Sequence, residues 1–210
     1  VEFNKYTERK VLQYCLGATM YMPGHKDFTD AILNHKYPGL TAMVMCFEDA
    51  CKLEDVPRAE QNSIHTLNVL SEKLEKGEIT YADLPLLIFR VRNLEQFKHF
   101  ASMLKPEHMK VLAGFNFPKF NAENGEAYFA FLKELNEKFG EIIYGMPIIE
   151  DRTVAFKETR MTELMGIKKI LDAYKDIVLN VRVGATDFSS CFGARRDVEY
   201  TIYDIMTVRD

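Results

Sequence analysis

Two carboxylates follow apolar runs at positions where a parallel β-strand would end. Glu150 ends the run that begins at Ile142, and Asp187 ends the run that begins at Ile177. Runs without alternation are typical of strands that are buried on both faces. In a parallel α/β barrel the carboxyl ends of all strands meet on one face, which carries the active site. The spacing therefore predicts that Glu150 and Asp187 share a divalent metal site.

Four further polar side chains follow other predicted strands. Glu48 and Asp49 come after the second, Arg90 ends the third, and Lys119 follows the fourth. A metal held by two acids keeps positions open for water and a chelating substrate, which suits Mg²⁺ or Mn²⁺. Each acid also has a structural interpretation, since acids are favoured in the first turn of a helix. Lys119 could likewise be a solvated loop residue.

The elements that would position these side chains alternate strictly between strand and helix. Strands are predicted at 18–22, 40–47, 84–91, 109–117, 142–149 and 177–186. Helices are predicted at 27–35, 57–76, 94–104, 125–139, 158–174 and 198–208. This order predicts the α/β class with a parallel sheet, as a TIM (β/α)8 barrel with about the first six βα units. We expect residues 1–210 to form a single barrel domain that lacks its C-terminal strands.

Composition restricts the classes of partner. The 210 residues are 47% hydrophobic and 28% charged with a net charge of −4, so no basic surface for nucleic acid is predicted. No apolar run approaches the ~20 residues of a membrane-spanning helix, and no signal-peptide layout opens the chain. The four cysteines are scattered, which favours free thiols in a reducing compartment. We expect a cytoplasmic protein without membrane or nucleic-acid partners.

Six short segments, each near a predicted strand end, carry a resemblance to a known family. They are Tyr21-Met22-Pro23-Gly24, Phe47-Glu48-Asp49-Ala50, Phe89-Arg90-Val91-Arg92-Asn93, Phe117-Pro118-Lys119, Ile148-Ile149-Glu150 and Gly184-Ala185-Thr186-Asp187-Phe188. In this order they resemble motifs of the HpcH/HpaI aldolase and citrate lyase β-subunit superfamily over nearly the whole chain. Cys46, Phe47 and the segment 151–153 depart from the usual motifs. The sequence thus looks most like a divergent branch, the citrate-lyase-like C–C bond lyases of tellurite-resistance and stress operons.

The resemblance implies a Mg²⁺-dependent C–C bond lyase or aldolase. Its substrate would be a small oxo- or hydroxy-carboxylic acid or the CoA thioester of one. Glu150 and Asp187 would hold Mg²⁺ (or Mn²⁺), and Arg90 would donate to the substrate carboxylate or enolate oxygen. Glu48 and Asp49 would orient Arg90 or a water on the metal, and Lys119 would neutralise charge. The resemblance also implies a homo-oligomer.

Two other functions stay open at this point. The departures from the family motifs favour a non-catalytic barrel subunit of a biosynthetic or stress-response complex. A phosphate-binding barrel that uses His25, Lys26 and Arg195 is less favoured, because the loops that carry these residues are not glycine-rich.

Overall fold

Six parallel strands form the framework of the protein in a computed structural model that describes residues 2–195 and 197–204. They are β1 (Met20–Pro23), β2 (Ala42–Cys46), β3 (Leu86–Arg90), β4 (Leu112–Phe117), β5 (Tyr144–Ile149) and β6 (Arg182–Val183). Each strand is hydrogen-bonded to the next one along the chain, in the order β1-β2-β3-β4-β5-β6. Helices connect the strands, so the sheet curls into part of a TIM-type barrel. The predicted fold class is confirmed.

Eight α-helices lie within these two ranges. They are α1 (Arg9–Leu12), α2 (Thr29–Leu33), α3 (Val56–Glu75), α4 (Leu94–Ser102), α5 (Gly125–Phe139), α6 (Arg152–Ala155), α7 (Lys157–Ala173) and α8 (Ala185–Cys191). Short 3-10 helices occur at Leu53–Asp55, Tyr81–Asp83, Pro106–Lys110 and Ile202–Asp204. The first five helices predicted from the sequence are confirmed to within about two residues at each end, which is the usual uncertainty of helix bounds.

Local sequence explains where the long helices begin and end. Asn93 caps α4, because its side-chain oxygen accepts a hydrogen bond of 2.9 Å from the backbone N–H of Gln96. Pro57 lies in the first turn of α3, where its missing N–H leaves no hydrogen bond unmade. Gly140 ends α5 in the left-handed conformation, with φ of 67°. None of the helices in the described ranges has the length and apolar character that crossing a membrane requires.

The strands separate two apolar clusters, because successive side chains point to opposite faces. The outer cluster lies between sheet and helices and is rich in phenylalanine; the ring centroids of Phe97 and Phe115, for example, are 4.6 Å apart. The other cluster, here the interior cluster, lies on the concave face and is formed by Leu12, Leu16, Ala42, Val44, Leu86, Ile88, Ala113, Tyr144, Met146 and Leu179. The sheet therefore packs on both faces, as its continuous apolar runs predict.

The predicted sixth strand is wrong over most of its length. Only Arg182 and Val183 pair with β5, and Val178 adds one isolated bridge to Gly145. Asp187 therefore does not end a strand; it lies in the first turn of α8. This segment is apolar because its side chains pack in the core, as Leu179 does in the interior cluster, and not because its backbone pairs as a strand.

The predicted helix over 198–208 is wrong in its described part. Residues 198–200 form turns, and Ile202–Asp204 is a 3-10 helix. Residues 205–208 lie outside the described residues.

Candidate active site

The carboxyl ends of the strands open into a cavity of about 640 Å³. It is lined by Tyr21, Asp49, Arg90, Ile148, Glu150, Arg182, Val183, Gly184, Ala185, Thr186 and Asp187. Asp49, Arg90, Glu150 and Asp187 were predicted from the sequence as site residues. Glu48 and Lys119, the other two, contact residues of this set, as described below. The six predicted side chains thus meet at one end of the barrel.

Arg90, the last residue of β3, is the centre of a cluster of carboxylates. Its Nη2 lies 2.6 Å from Glu48 Oε2, 3.1 Å from Asp49 Oδ2 and 3.0 Å from Glu150 Oε1. Arg90, Glu48 and Glu150 are buried, whereas Asp49 is exposed. Burial by itself would lower the pKa of Arg90, but the neighbouring carboxylates outweigh burial and raise it. Arg90 therefore stays charged and fixes the three acids around one guanidinium.

Lys119 reaches the same cluster with both its backbone and its side chain. Its N–H donates to Glu150 Oε1 at 3.0 Å, and its ammonium group donates to Glu48. These two contacts coincide with a left-handed backbone, φ 47°, which is uncommon for a residue other than glycine. Strained conformations of this kind concentrate at functional sites. The interaction with Glu48 outweighs burial and raises the pKa of Lys119.

A second arginine holds the loop that carries Glu48 and Asp49. Arg92 donates from Nε to the carbonyl oxygen of Phe47 at 3.0 Å. Its Nη2 donates to the carbonyl oxygens of Glu48 at 3.3 Å and Cys51 at 2.5 Å. Arg92 thus binds backbone groups, and Arg90 contacts the acids themselves.

Glu150 and Asp187 line the same cavity, Glu150 directly after β5 and Asp187 in the first turn of α8. Burial, followed by the nearby Asp187 carboxyl, raises the pKa of Glu150 to about 7, although Arg90 opposes the shift. A neighbouring group of like charge disfavours ionisation, so the Glu150 carboxyl takes up a proton more readily than an exposed one does. Asp187 lies in the first turn of α8 and still lines the cavity that contains Glu150, so its helix position is compatible with a place in the site.

Gly184 makes room for the Glu150 carboxyl. A Cβ atom at position 184 would lie 2.5 Å from Glu150 Cβ and 2.9 Å from Glu150 Cδ. The N–H of Gly184 also donates to the carbonyl oxygen of Ile149 at 3.0 Å, which ties the start of α8 to the end of β5. Position 184 therefore tolerates no side chain without movement of Glu150 or of β6.

The donor set fits a divalent cation that prefers oxygen. A cation in the cavity would meet the carboxylates of Glu150 and Asp187, and Mg²⁺ is commonly bound by one or two carboxylates with water and substrate. In residues 2–195 and 197–204, no group of three or more His, Cys, Asp or Glu side chains is arranged as a complete metal site. Glu150 and Asp187 would be the protein ligands, and the remaining positions would stay open.

Three residues of the site were not predicted from the sequence. Tyr21 and Arg182 line the cavity, and buried Asn116 donates a hydrogen bond of 2.7 Å to the hydroxyl of Tyr21. Arg182 was detectable as a charged side chain between two valines. Tyr21 and Asn116 lie 95 positions apart, and only the curvature of the sheet brings them together.

The residues of the phosphate-binding alternative do not converge on this cavity. His25, Lys26 and Arg195 are absent from the described residues that line it. Lys26 and Arg195 are exposed, and His25 has a buried Nδ1 without a hydrogen-bond partner. These three residues therefore do not form, at this cavity, the common phosphate site that the alternative requires.

The fold and the site define a class: TIM-type barrels with a cluster of acids and arginines at the carboxyl ends of the strands. The sequence matches the C–C bond lyase family of the TIM-barrel fold over residues 10–210, and the chain belongs to this family. The predicted superfamily resemblance is thereby confirmed at the level of a lyase-type barrel. No curated protein sequence matches the chain.

Two solved structures of malate synthase from Haloferax volcanii resemble the chain. Its lead(II) complex aligns with a TM-score of 0.58 and 14% identity over 85% of this chain and 52% of that one. Its magnesium/glyoxylate complex aligns with a TM-score of 0.61 and 13% identity over 85% and 54%. At this identity the likeness shows the fold. The chain spans about half the length of these structures.

Proposed function

We propose that this protein is a Mg²⁺-dependent C–C bond lyase or aldolase that acts on a small oxo- or hydroxy-carboxylic acid or its CoA thioester. The observation that carries the proposal is that the carboxylates Glu150 and Asp187 line one cavity with buried Arg90, which contacts Glu150 at 3.0 Å. Membership of the C–C bond lyase family supports the reaction class. One of the similar structures is described as a magnesium/glyoxylate complex, which supports a divalent metal and an oxo-acid at a site of this kind.

In this proposal each charged side chain of the cluster has a separate part. Mg²⁺ would act as a Lewis acid that favours the enolate left when the C–C bond breaks. Glu150 and Asp187 would hold the cation, and Glu150, whose pKa is raised to about 7, would have to be ionised to do so. Arg90 fixes Glu150 through a charge-assisted contact and faces the cavity, where it stabilises negative charge on a substrate oxygen.

The remaining two acids and the lysine set the electrostatics of the cluster. Glu48 contacts both Arg90 and Lys119, so it holds the two cations in place. Asp49 lines the cavity and contacts Arg90, where it can orient a water molecule. Lys119 neutralises charge next to Glu48 and positions Glu150 through its backbone N–H. A cytoplasmic homo-oligomer stays a prediction of the sequence.

Calorimetry with Mg²⁺ and Mn²⁺ tests the metal site, with and without pyruvate. We expect binding to the wild type that pyruvate strengthens and that Glu150→Gln and Asp187→Asn each abolish. Glu60→Gln is the matched control, because Glu60 is also a buried carboxylate but bonds Gln96 and His99 between α3 and α4. It should leave metal binding intact.

Enolate formation can be tested without knowledge of the natural substrate. In D₂O, the wild type with Mg²⁺ is expected to exchange the methyl protons of pyruvate for deuterium, as followed by NMR. Glu150→Gln should lose the exchange, and Glu60→Gln should keep it. The absence of both metal binding and exchange would refute the lyase and leave the non-catalytic barrel subunit as the better interpretation.

A further inference from the structure

Arg182 is a second arginine in the cavity that holds Glu150 and Asp187, and the lyase reaction proposed above assigns it no part. It lies in β6 opposite Ile148 of β5, and both side chains line the cavity. The same cavity contains Arg90, so two guanidinium groups face one space.

The two arginines differ in how they are neutralised. Arg90 lies within 3.1 Å of three carboxylates. Within the described ranges, Arg182 forms no ion pair, and its Nη2 donates to the hydroxyl of Thr19 at 3.1 Å; its buried Nε, like that of Arg90, has no hydrogen-bond partner. A partly buried cation without a counter-ion costs free energy unless an anionic ligand pairs with it. The charge of Arg182 is thus available to an anionic group in the cavity.

Tyr21 adds a neutral donor beside Arg182. The guanidinium carbon of Arg182 lies 5.8 Å from the centre of the Tyr21 ring, which packs the two side chains together. The Tyr21 oxygen accepts a hydrogen bond from Asn116, so its own proton remains for a ligand in the cavity. A guanidinium and a hydroxyl at one wall suit the two oxygens of a carboxylate.

We propose that Arg182, assisted by Tyr21, binds a second carboxylate of the substrate, at the end remote from the metal. The inference rests on the proposed function, because it takes one end of the substrate to be the oxo-acid that chelates the cation. Arg182 would then select oxo-diacids over oxo-monoacids of the same length. A carboxylate that contacts one guanidinium gains enough free energy for roughly tenfold or greater discrimination.

Arg182 also has a purely structural interpretation, which the test must separate. Its hydrogen bond to Thr19 joins β6 to the residue before β1, across the open side of the sheet. Thr19→Val removes this bond and leaves the guanidinium in the cavity. Arg182→Gln removes the charge, and Arg182→Lys keeps it. Arg9→Gln is the charge-matched control, since Arg9 donates to the carbonyl oxygen of Val178 and does not line the cavity.

The experiment measures calorimetric affinities for two matched pairs of acids with saturating Mg²⁺. The pairs are oxaloacetate with 2-oxobutyrate, and 2-oxoglutarate with 2-oxovalerate. For the wild type we expect the diacid of at least one pair to bind roughly tenfold or more tightly than its monoacid. Arg182→Gln should remove this preference without weakening monoacid binding, and Arg182→Lys should retain part of it. Thr19→Val and Arg9→Gln should keep the wild-type ratio.

Each other outcome overturns the inference in a recognisable way. Equal binding of diacids and monoacids by the wild type overturns the role of Arg182 while the lyase proposal survives. If Arg182→Gln and Thr19→Val both weaken the binding of diacids and monoacids alike, Arg182 only joins β6 to the residue before β1, and the inference is also overturned. If neither kind of acid binds in the presence of Mg²⁺, the proposed function fails and this inference fails with it.

Discussion

The substitution Gly184→Ala would test the geometry of the proposed metal site without altering any of its charges. The new Cβ would lie 2.5 Å from Glu150 Cβ, whereas carbon atoms at optimal separation are about 3.5–4.0 Å apart. About 1 Å of movement is therefore required. Glu150 is held by Arg90 and by the N–H of Lys119, so the movement either breaks those contacts or separates the two-residue strand β6 from β5.

The expected cost of Gly184→Ala follows from this contact. Overpacking of a filled site costs about 1–3 kcal/mol of unfolding free energy. The φ of Gly184 is −88°, which any residue adopts, so backbone strain adds nothing. A displacement of about 1 Å exceeds the tolerance of metal–ligand distances, and disturbed supports of metal ligands typically cost about 10- to 100-fold in affinity. We expect a loss of Mg²⁺ affinity in that range.

The assay combines chemical denaturation with Mg²⁺ calorimetry on Gly184→Ala and Gly77→Ala. Gly77 has φ of 71° and no atom within 4 Å of its added Cβ, so its substitution should cost about 1 kcal/mol through the left-handed backbone alone. Its Mg²⁺ affinity should stay at the wild-type value. Wild-type Mg²⁺ affinity in folded Gly184→Ala would refute the argument, because Glu150 would then not be confined by position 184.

Three further results are expected. Lys119→Gly should be more stable to denaturant than Lys119→Ala by about 1 kcal/mol, because both lose the ammonium group but only alanine keeps the cost of the left-handed backbone; equal stabilities would contradict this. Burial lowers the pKa of His108 below its ordinary 6.5, so the unfolded chain takes up the proton first and the free energy of unfolding should fall as pH drops below 6.5. The substitution His108→Asn should reduce this dependence on pH in denaturation curves measured from about pH 7 to pH 5. Because the pKa of Glu150 is raised to about 7, Mg²⁺ must displace a proton at lower pH, and the apparent Kd should rise about tenfold per pH unit below 7; calorimetry in buffers of different ionisation enthalpy should detect the released proton, and a pH-independent Kd would contradict the raised pKa of Glu150.

The sequence predicted the central strands well because burial on both faces leaves a direct signal. β2 and β3 are fully buried at every position, so their apolar runs reflect the environment of a parallel sheet. The segment after α7 gave the same apolar signal for a different reason. Leu179 is buried against the interior cluster, yet its neighbours form one bridge and a two-residue strand. Hydrophobicity reports burial, and it does not distinguish a strand ladder from a packed irregular segment.

The candidate site was predictable to the extent that its side chains follow strand ends. Glu48, Arg90 and Glu150 could be grouped because parallel strands deliver them to one face. Which of these side chains contact one another depends on distances across the barrel, and the sequence does not give those distances. Lys119 contacts Glu150 through its backbone N–H, and its backbone is in the left-handed conformation. Lysine has no preference for that conformation, so the residue type did not predict this contact.

The contacts of Arg92 bear on how sequences of this kind can diverge. Because Arg92 donates to carbonyl oxygens of residues 47, 48 and 51, it recognises the path of the loop and not its side chains. A change of side chain at one of these positions leaves the carbonyl oxygen, and therefore this hydrogen bond, in place. The side chains have separate contacts, since Phe47 packs on Phe89 and Phe100 and Glu48 pairs with Arg90. Arg92, just after the end of β3, thus holds the backbone of the loop, whereas Arg90, the last residue of β3, contacts the acids that the loop carries.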